Sequence, residues 1–533
     1  MKRFEFYLSL LVILILASLP YGIAIISAGE DAVFTGAIYN AMDNASYLAK
    51  MYQGRLGAWS FTLPYTAEPG SGTYLFMFYV FLGHVARWTR LSLILTYHIA
   101  RIVSSVLLLL ALRAFLERIF SKHPIMLRFV FWLLIMGSGM GWLVIGTGYM
   151  TADYWVAEAY PFQSMLLNPH FPLGMAVLVR IFTLLMDETI AYREWRLLGL
   201  GLALSIVMPF GVVIALLVAT GWVVWSWLET RCLYWKPYVS LGALGGPFLL
   251  YQYWVSMTHP VLSGWNAQNV TSSVPFWDFV LSLSPAVLIG LFGLIRMMRE
   301  GSNPARRILV TWFVLGPLLI YLPTTLQRRF MFGYFIPVAV MAGFGIEELR
   351  RVFRTYLQRK PVPSDHSPAQ QPETPGRIGK LLFILQVPST LLLLFMAILS
   401  TANTVDSLFM TKGEARALAW IEDHTPRDAL ILASPKIGTL IPAFTGRRVI
   451  WGHSFETINA DEEELRVTEF FQTPGDEVSL SLLSERRVDY LFIGPREREL
   501  MGDDRNFDWG SLPELSPVFS DEGVQIYAVK LNP

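Results

Sequence analysis

The chain has 533 residues, of which 54% are hydrophobic and only 16% are charged, and its formal net charge is +1. A composition this apolar excludes a soluble protein with one ordinary core. The bilayer must therefore be the main solvent of the chain. Nearly zero net charge and the lack of a long basic tract argue against nucleic-acid binding. The single cysteine, Cys232, excludes an intramolecular disulfide. We therefore expect lipids and lipid-linked molecules as partners, and no nucleic acid.

Apolar segments long enough to cross a bilayer recur along the whole chain. A spanning helix needs about 20 mostly apolar residues, and this test predicts about eleven such helices. They begin near residues 4, 91, 125, 171, 197, 210, 238, 278, 308, 331 and 381. The run 197–227 is divided in two at Pro209, because proline ends or kinks a helix. The predicted fold class is a polytopic α-helical membrane protein.

The first apolar run follows Lys2 and Arg3 and extends to about Ser27. It is longer than a signal-peptide core and has no small-x-small cleavage site at its end, so we expect it to remain as the first helix. Cytoplasmic loops are enriched in Lys and Arg. A cytoplasmic N-terminus places these further basic residues in inner loops: Arg113, Arg118, Lys122, Arg128, Arg193, Arg196, Arg231, Lys236, Arg296, Arg299, Arg306 and Arg307.

The predicted helices delimit the remaining parts of the chain. Residues 1–348 form one transmembrane module, and 349–380, with its Pro-, Ser- and Gln-rich stretch, is predicted to be a cytoplasmic linker. A last helix over 381–401 then carries the C-terminus to the extracytoplasmic side. Three outer segments are too long to be simple turns, and long ordered loops are usually functional. They are 28–90, 148–170 and 258–277.

The C-terminal region 411–533 alternates helix-like stretches with short β-like runs. This alternation predicts a small soluble α/β domain outside the membrane. The region has neither a Gly-rich phosphate loop nor a nucleophile elbow. We interpret it as a recognition or structural module.

Acidic residues in the outer segments are candidates for acid–base chemistry. Asp43 lies in NAMDNASYLAKM of the first outer segment, where a carboxylate could act as a general base or could simply cap a helix. Asp31 is a reserve candidate nearby. The second outer segment contributes Asp153 and Glu158, which a folded loop could bring together or which could be solvated loop charges.

Two adjacent arginines, Arg328 and Arg329, fall on the side of the membrane where positive charge is disfavoured. Arginine binds phosphate bidentately and stays protonated, so this pair could hold a lipid phosphate. One alternative is that they are interfacial arginines with snorkelling side chains. The other is that the predicted number of spanning helices is wrong in this region. His170, at a predicted helix start, could be an interfacial residue, and Arg101 could add positive charge near the outer face.

The layout of these elements resembles the GT-C superfamily of glycosyltransferases that use polyprenyl-phosphate sugars, and within it a bacterial branch. The superfamily includes protein O-mannosyltransferases, oligosaccharyltransferases and lipid A aminoarabinose transferases. Members carry an acidic motif and a tyrosine in the first outer loop, here matched by Asp43 and Tyr47 in MDNASYLAKM. The stretch SGTYLFMFYVFLGHVARWTRLSLILTYHIARIVSS is similar to the family's surface helix and second spanning helix with its early arginine, Arg101.

The resemblance implies transfer of a sugar from a polyprenyl-phosphate donor to a lipid, glycan or protein acceptor at the outer face of a bacterial plasma membrane. Asp43 would accept the proton of the attacking hydroxyl, and Glu158 with Asp153 would position the acceptor or stabilise the sugar. The donor phosphate would be held by Arg328, Arg329, Gln327 and His170. Since Asn44 rather than an acid follows Asp43, a divalent cation, Mg²⁺ or Mn²⁺, is left open.

Two other functions remain at this point. A transporter or flippase of lipid-linked sugars would share the phosphate site but need no base. Transporters usually show internal repeats and midplane polar residues, and no convincing repeat is visible here. A non-catalytic scaffold that has kept the fold is the second alternative.

Overall fold

The structure is a computed structural model. It describes residues 1–187, 189–299, 301, 303–358, 374–504 and 506–530. Internal contacts divide the chain into two compact units. The first unit comprises 1–18, 100–250 and 271–396, and the second comprises 19–99, 251–270 and 397–533.

The first unit is built from α-helices, several of which continue into the residues of the second. Their bounds, each helix given whole, are Arg3–Ser27, Leu93–Ile119, Pro124–Met136, Ala152–Trp155, Pro161–Leu167, His170–Leu185, Arg193–Val207, Pro209–Thr230, Trp235–Thr258, Phe276–Leu283, Ala286–Arg299, Pro304–Ile320, Phe335–Gln358, Gly376–Gln386 and Pro388–Ala402. Proline opens several of them, at the position where its missing N–H costs no hydrogen bond. Short 3₁₀ turns lie at Gly141–Leu143, Ile145–Thr147, Ala157–Ala159 and Gln327–Met331.

Each predicted spanning segment coincides with one helix or, for the segments that begin near 278 and 381, with two consecutive helices. The helical run 193–230 is interrupted at Met208, just before Pro209, as the sequence predicted. Four helices among the described residues are long and apolar enough to cross a membrane. They are Arg3–Ser27, Leu93–Ile119, Pro209–Thr230 and the joined helix Gly376–Ala402. A bent pair, Phe276–Leu283 and Ala286–Arg299, makes a fifth candidate with an angle of 80° between its parts. The count of eleven crossings stays a prediction.

The helix Phe335–Gln358 continues into the region predicted as a linker, and the helix Gly376–Gln386 begins before that region ends. The rest of the predicted linker, 359–373, lies outside the described residues. The helix Ala286–Arg299 packs against Phe335–Gln358 at close range, since a Cβ at Gly293 would lie 2.0 Å from the Met341 carbonyl oxygen. Small residues allow helix backbones to approach in this way.

The second unit contains helices and two sheets. Its helices are Ala41–Arg55, Met77–Thr89, Pro260–Gln268, Lys412–His424, Pro435–Gly438, Ile441–Thr445, Ala460–Gln472, Glu477–Glu485 and Pro495–Met501, with 3₁₀ turns at Gly502–Asp504 and Trp509–Ser511. Its strands are β1 (Ala32–Phe34), β2 (Phe409–Thr411), β3 (Leu430–Leu432), β4 (Arg448–Val449), β5 (Tyr490–Ile493), β6 (Leu515–Asp521) and β7 (Val524–Val529). Strands β1 and β2 form an antiparallel pair.

The larger sheet has the strand order β4-β3-β5-β7-β6. Strand β3 is parallel to β4 and β5, whereas β7 is antiparallel to β5 and β6. All three residues of β3 are buried, as is usual for a central strand with parallel neighbours. Aromatic side chains from the helices and loops, among them Trp451, Phe470 and Trp509, fill the core against it.

The β-like runs recognised in the sequence correspond to β3, β4, β5 and β7, and β6 was not predicted. Contacts group residues 397–533 with 19–99 and 251–270. That the C-terminal region is a separate soluble domain outside the membrane stays a prediction, as do the other domain boundaries.

Candidate functional site

Asp43 is the third residue of the helix Ala41–Arg55, and its side chain is 41% exposed. The N-cap of this helix is Asn40, whose backbone adopts the left-handed conformation with φ 48°. Asp43 is therefore not the capping residue, although an acid in the first turn is favoured by the helix dipole. The Asn40 side-chain amide donates to Asp43 Oδ2. This bond holds one carboxylate oxygen against the helix start.

The second oxygen of Asp43 contacts a histidine that sequence reasoning missed. His453 Nε2 lies 3.2 Å from Asp43 Oδ1, and His453 is only 2% exposed. The backbone N–H of Phe455 donates to His453 Nδ1 at 3.1 Å. A nitrogen that accepts a hydrogen bond carries no proton, so the proton of the neutral ring is on Nε2 and is donated to Asp43.

A buried ion pair lies two turns further along the same helix. Lys50 is 0% exposed, and its Nζ lies 2.5 Å from Glu456 Oε1. Ser46 donates to the same oxygen at 2.6 Å. Burial raises the pKa of Glu456, but the charge of Lys50, the proximity of His453 and the hydrogen bonds from Lys50 and Ser46 outweigh that effect and leave the pKa below its ordinary value. Glu456 is therefore an anion that the helix holds in place.

Aromatic residues complete the surroundings of Asp43. The Tyr47 ring stacks on Tyr79 with centroids 4.4 Å apart. Tyr65 lies 5.8 Å from the His453 ring, and burial followed by the charges of Glu456 and Asp43 raises the pKa of Tyr65 well above its ordinary value. Its neutral hydroxyl donates to the Thr439 carbonyl at 3.2 Å. Asp31, the reserve candidate, is exposed in the turn before β1.

In the first unit, Asp153 is fully buried at the start of the second outer segment. It accepts hydrogen bonds from the Gly141 N–H at 3.1 Å, the Thr151 hydroxyl at 2.5 Å and the Ser282 hydroxyl at 3.3 Å. Burial raises the pKa of Asp153, and hydrogen bonds from Thr151, Ser389 and the Gly141 N–H oppose the rise. Asp278, which sequence reasoning missed, binds the same Ser282 at 2.7 Å. These contacts suit Asp153 to holding the segment in shape.

Glu158 and Arg329, which the sequence analysis identified separately, lie next to each other. Arg329 Nη1 lies 3.6 Å from Glu158 Oε1, an oxygen that has no hydrogen-bond partner among the described residues. Glu158 is 5% exposed, whereas the Arg329 side chain is 30% exposed. Arg328 lies 4.7 Å above the Trp155 ring. Because Glu158 and Arg329 are 3.6 Å apart and form no hydrogen bond, Arg329 is able to bind an anion as well.

The remaining candidates have mainly structural contacts. Gln327 accepts from the Ser273 N–H at 3.2 Å, and its amide donates to the Leu322 carbonyl at 3.1 Å. His170 is 9% exposed and packs on Phe171.

Arg101 is buried and joins distant parts of the first unit. It donates to the Ala17 carbonyl at 2.9 Å and the Met165 carbonyl at 3.0 Å. These contacts tie the first helix to the helix Pro161–Leu167, and a catalytic role for Arg101 stays a prediction.

The resemblance did not decide whether the site binds a divalent cation. The groups that surround Asp43 do not fit the ligands of such a cation. In the described part of the chain, no group of three or more His, Cys, Asp or Glu side chains could hold a metal ion. His453 presents a proton, not a lone pair, toward Asp43. Asn44, the residue after the acid, is buried. No step of the reaction is therefore assigned to a metal.

Comparisons with known proteins identify the fold. No family model matches the chain, and no curated protein matches it. Among solved structures, the oligosaccharyltransferase of Archaeoglobus fulgidus, tethered with an acceptor peptide, is 12% identical with a TM-score of 0.51, covering 99% of this chain and 74% of that one. ArnT from Cupriavidus metallidurans, bound to undecaprenyl phosphate, is 11% identical with a TM-score of 0.51, covering 96% and 97%.

A third similar structure is the mycobacterial arabinofuranosyltransferase AftD, which is 14% identical with a TM-score of 0.51. The match covers 100% of this chain and 40% of AftD. These neighbours are glycosyltransferases of the GT-C fold, so the resemblance predicted from the sequence is confirmed at the level of the fold. Function is carried by sites and not by folds, so the reaction depends on the residues of the site.

Proposed function

We propose that this chain is an integral membrane glycosyltransferase that moves a sugar from a polyprenyl-phosphate donor to an acceptor at the extracytoplasmic face. The observation that carries the proposal is the carboxylate of Asp43, which is anchored by Asn40 and His453 yet 41% exposed. The GT-C fold supports glycosyl transfer in general. ArnT, bound to undecaprenyl phosphate, supports a donor with a polyprenyl-phosphate carrier.

Asp43 is the general base of this reaction. A carboxylate has about four lone-pair sites, and the 41% exposure of the Asp43 side chain gives an attacking hydroxyl access to it. The base must come within about 3 Å of that hydroxyl oxygen. As the acceptor oxygen bonds to the anomeric carbon, its proton passes to Asp43, and the bond between that carbon and the phosphate oxygen breaks with inversion. Polyprenyl phosphate leaves with the bonding electron pair.

The arginines act on the departing phosphate. Arg329 and Arg328 are permanently charged and offer forked N–H donors that match phosphate oxygens. Preorganised charge of this kind stabilises the negative charge that develops on a leaving group. Glu158 contacts Arg329 and positions it for the phosphate. Gln327 and His170 are further candidates for binding the phosphate. Asp153 maintains the shape of the segment that carries Glu158.

The orientation proposed for the chain is a cytoplasmic N-terminus and an extracytoplasmic C-terminal region in a bacterial plasma membrane. It is supported by the Lys and Arg residues of the predicted inner loops and by the four helices that are apolar enough to cross a membrane.

The test is a transfer assay with the purified chain in lipid bilayers. Radiolabelled polyprenyl-phosphate mannose, glucose and arabinofuranose are offered in turn with a bacterial membrane extract as acceptor. We expect label transfer by the wild type and at least a 100-fold loss in Asp43→Asn, the lower end of what a general base contributes. Asp423→Asn, an exposed acid on the helix Lys412–His424, is the matched control.

Equal transfer by wild type and Asp43→Asn would contradict the assignment of the base. Binding of the labelled donors by both proteins, with transfer by neither, would instead favour a carrier or a scaffold for lipid-linked sugars.

A further inference from the structure

We propose that His453 is a positioning residue for Asp43, so that a loop of the C-terminal region helps to build the active centre. The loop is residues 451–459, between β4 and the helix Ala460–Gln472. The inference rests on the proposed role of Asp43 as the base. It changes the interpretation of the C-terminal region, which the sequence predicted to be a recognition or structural module.

The direction of its hydrogen bonds makes His453 a donor to Asp43. The Phe455 N–H fixes Nδ1 of His453 as an acceptor, which leaves Nε2–H to donate to Asp43 Oδ1. Moving the proton to Nδ1 would break both bonds at once. The ring is thus held as a donor by its own loop. A donor that stays in place fixes the orientation of the Asp43 carboxylate.

The loop is attached to the helix Ala41–Arg55 at two points. Asp43, Ser46 and Lys50 are spaced three and four residues apart, which places them on one face of that helix. Asp43 contacts His453, whereas Ser46 and Lys50 both bind Glu456, three residues later in the loop. Two contacts along one helix face fix both the position and the rotation of the loop.

His453 and Asp43 differ in their exposure to solvent. His453 is 2% exposed, while the Asp43 side chain is 41% exposed. The Thr457 hydroxyl accepts from the backbone N–H groups of Gly452 and His453, each at 3.3 Å, so the loop backbone is also fixed. A histidine buried behind an exposed carboxylate can orient it but cannot itself reach a substrate.

The titratable groups that face the ring come from three segments. Asp43 lies on the helix Ala41–Arg55, Glu456 on the ring's own loop and Tyr65 in the segment 61–65. The lowered pKa of Glu456 and the raised pKa of Tyr65 keep the carboxylate ionised and the phenol neutral across the neutral range.

The test compares two variants of the full-length protein in which amide side chains of different length replace His453. In His453→Gln the side-chain amide can stand where Nε2–H stands now, whereas in His453→Asn it stops near the position of Nδ1. We expect His453→Asn to lower kcat by about 10- to 100-fold, the scale of a misplaced reacting group, with the donor KM unchanged. We expect His453→Gln to restore most of kcat.

A pH profile separates positioning from a general loss of structure. The base must be ionised, and a donated hydrogen bond favours the ionised carboxylate. The acidic limb of the kcat profile is therefore expected to move to higher pH in His453→Asn and to stay in place in His453→Gln. Equal losses in both variants with an unmoved limb would overturn the inference. So would wild-type kcat in His453→Asn.

Asp43→Asn, measured alongside, distinguishes the two failures. If Asp43→Asn abolishes transfer while His453→Asn does not, only the positioning inference fails. If the wild type transfers nothing, or Asp43→Asn transfers normally, the proposed function fails and this inference fails with it. Should His453→Asn not fold, His453→Phe replaces it, because a ring of similar size without a donor makes the same prediction.

Discussion

Lys50 and Glu456 form an ion pair of 2.5 Å although they stand 406 positions apart in the chain. Their side chains are 1% and 9% exposed, so the charges have almost no water to stabilise them. Lys50 also lies 4.2 Å from the centroid of the Phe76 ring. A pair of this kind need not stabilise the fold more than apolar residues would, but removing one partner leaves a buried charge without compensation.

We therefore expect Lys50→Met to destabilise the second unit by about 3–5 kcal/mol. The double variant Lys50→Met/Glu456→Leu is expected to recover most of this loss, because neither charge remains. Chemical unfolding followed by tryptophan fluorescence in detergent measures both. If the double variant is as unstable as Lys50→Met, the loss comes from packing and the ion pair is not its cause.

The depressed pKa of Glu456 predicts how stability changes with pH. A carboxyl whose pKa is lower in the folded than in the unfolded protein contributes stability above the unfolded value, about 4.3 for Glu. That contribution is lost as the pH falls through the folded pKa. We expect the wild type to lose more stability than the Lys50→Met/Glu456→Leu variant when the pH is lowered from 6 to 3. Parallel decreases in the two proteins would contradict this assignment.

The sequence was informative where the signal is local. The apolar runs located the helices, and the acidic motif in MDNASYLAKM identified Asp43. Each of these patterns lies within a single continuous stretch of sequence. His453 and Glu456 could not be found in this way, since their partners lie some 410 positions away and nothing in GHSFET marks them. Asp278 did have a local signal, an acid within an apolar helix, and such residues are usually paired and functional.

The close helix contact at Gly293 predicts a strong dependence on side-chain size. A Cβ there would lie 2.0 Å from the Met341 carbonyl oxygen, which belongs to a facing helix backbone and cannot move aside cheaply. We expect Gly293→Leu to lower the thermal unfolding temperature in detergent, since overpacking costs about 1–3 kcal/mol or more. The control is Gly246→Ala, a helical glycine with no atom within 4 Å of its added Cβ. Similar unfolding temperatures for both variants would refute the contact.

The buried contacts of Asp153 predict that its loss affects structure before chemistry. Asp153→Ala leaves the Gly141 N–H and the Thr151 hydroxyl without this acceptor, whereas the Ser282 hydroxyl keeps Asp278. Each buried donor without a partner costs about 1–3 kcal/mol. We expect lower stability, and transfer activity that follows the folded fraction with an unchanged donor KM. A fully folded Asp153→Ala protein that has lost kcat would instead indicate direct participation in the reaction.

The loose contact between Glu158 and Arg329 predicts a specific defect in donor binding. If Arg329 binds the donor phosphate with two parallel N–H groups, Arg329→Lys keeps the charge but loses the fork. A charge-assisted hydrogen bond contributes about 1.5–3 kcal/mol, so we expect donor kcat/KM to fall by roughly 10- to 150-fold. Arg427→Lys, at an exposed position of the second unit, is the control.

Two further measurements make the Arg329 prediction specific. Inhibition by the released polyprenyl phosphate should weaken in Arg329→Lys, because that product keeps the phosphate and has lost the sugar. Glu158→Gln should change donor affinity less than Arg329→Lys does, since the Glu158 contact is 3.6 Å long and involves no hydrogen bond. If Arg329→Lys transfers sugar and responds to polyprenyl phosphate as the wild type does, Arg329 is not a phosphate ligand, and Arg328 over Trp155 becomes the residue to replace next.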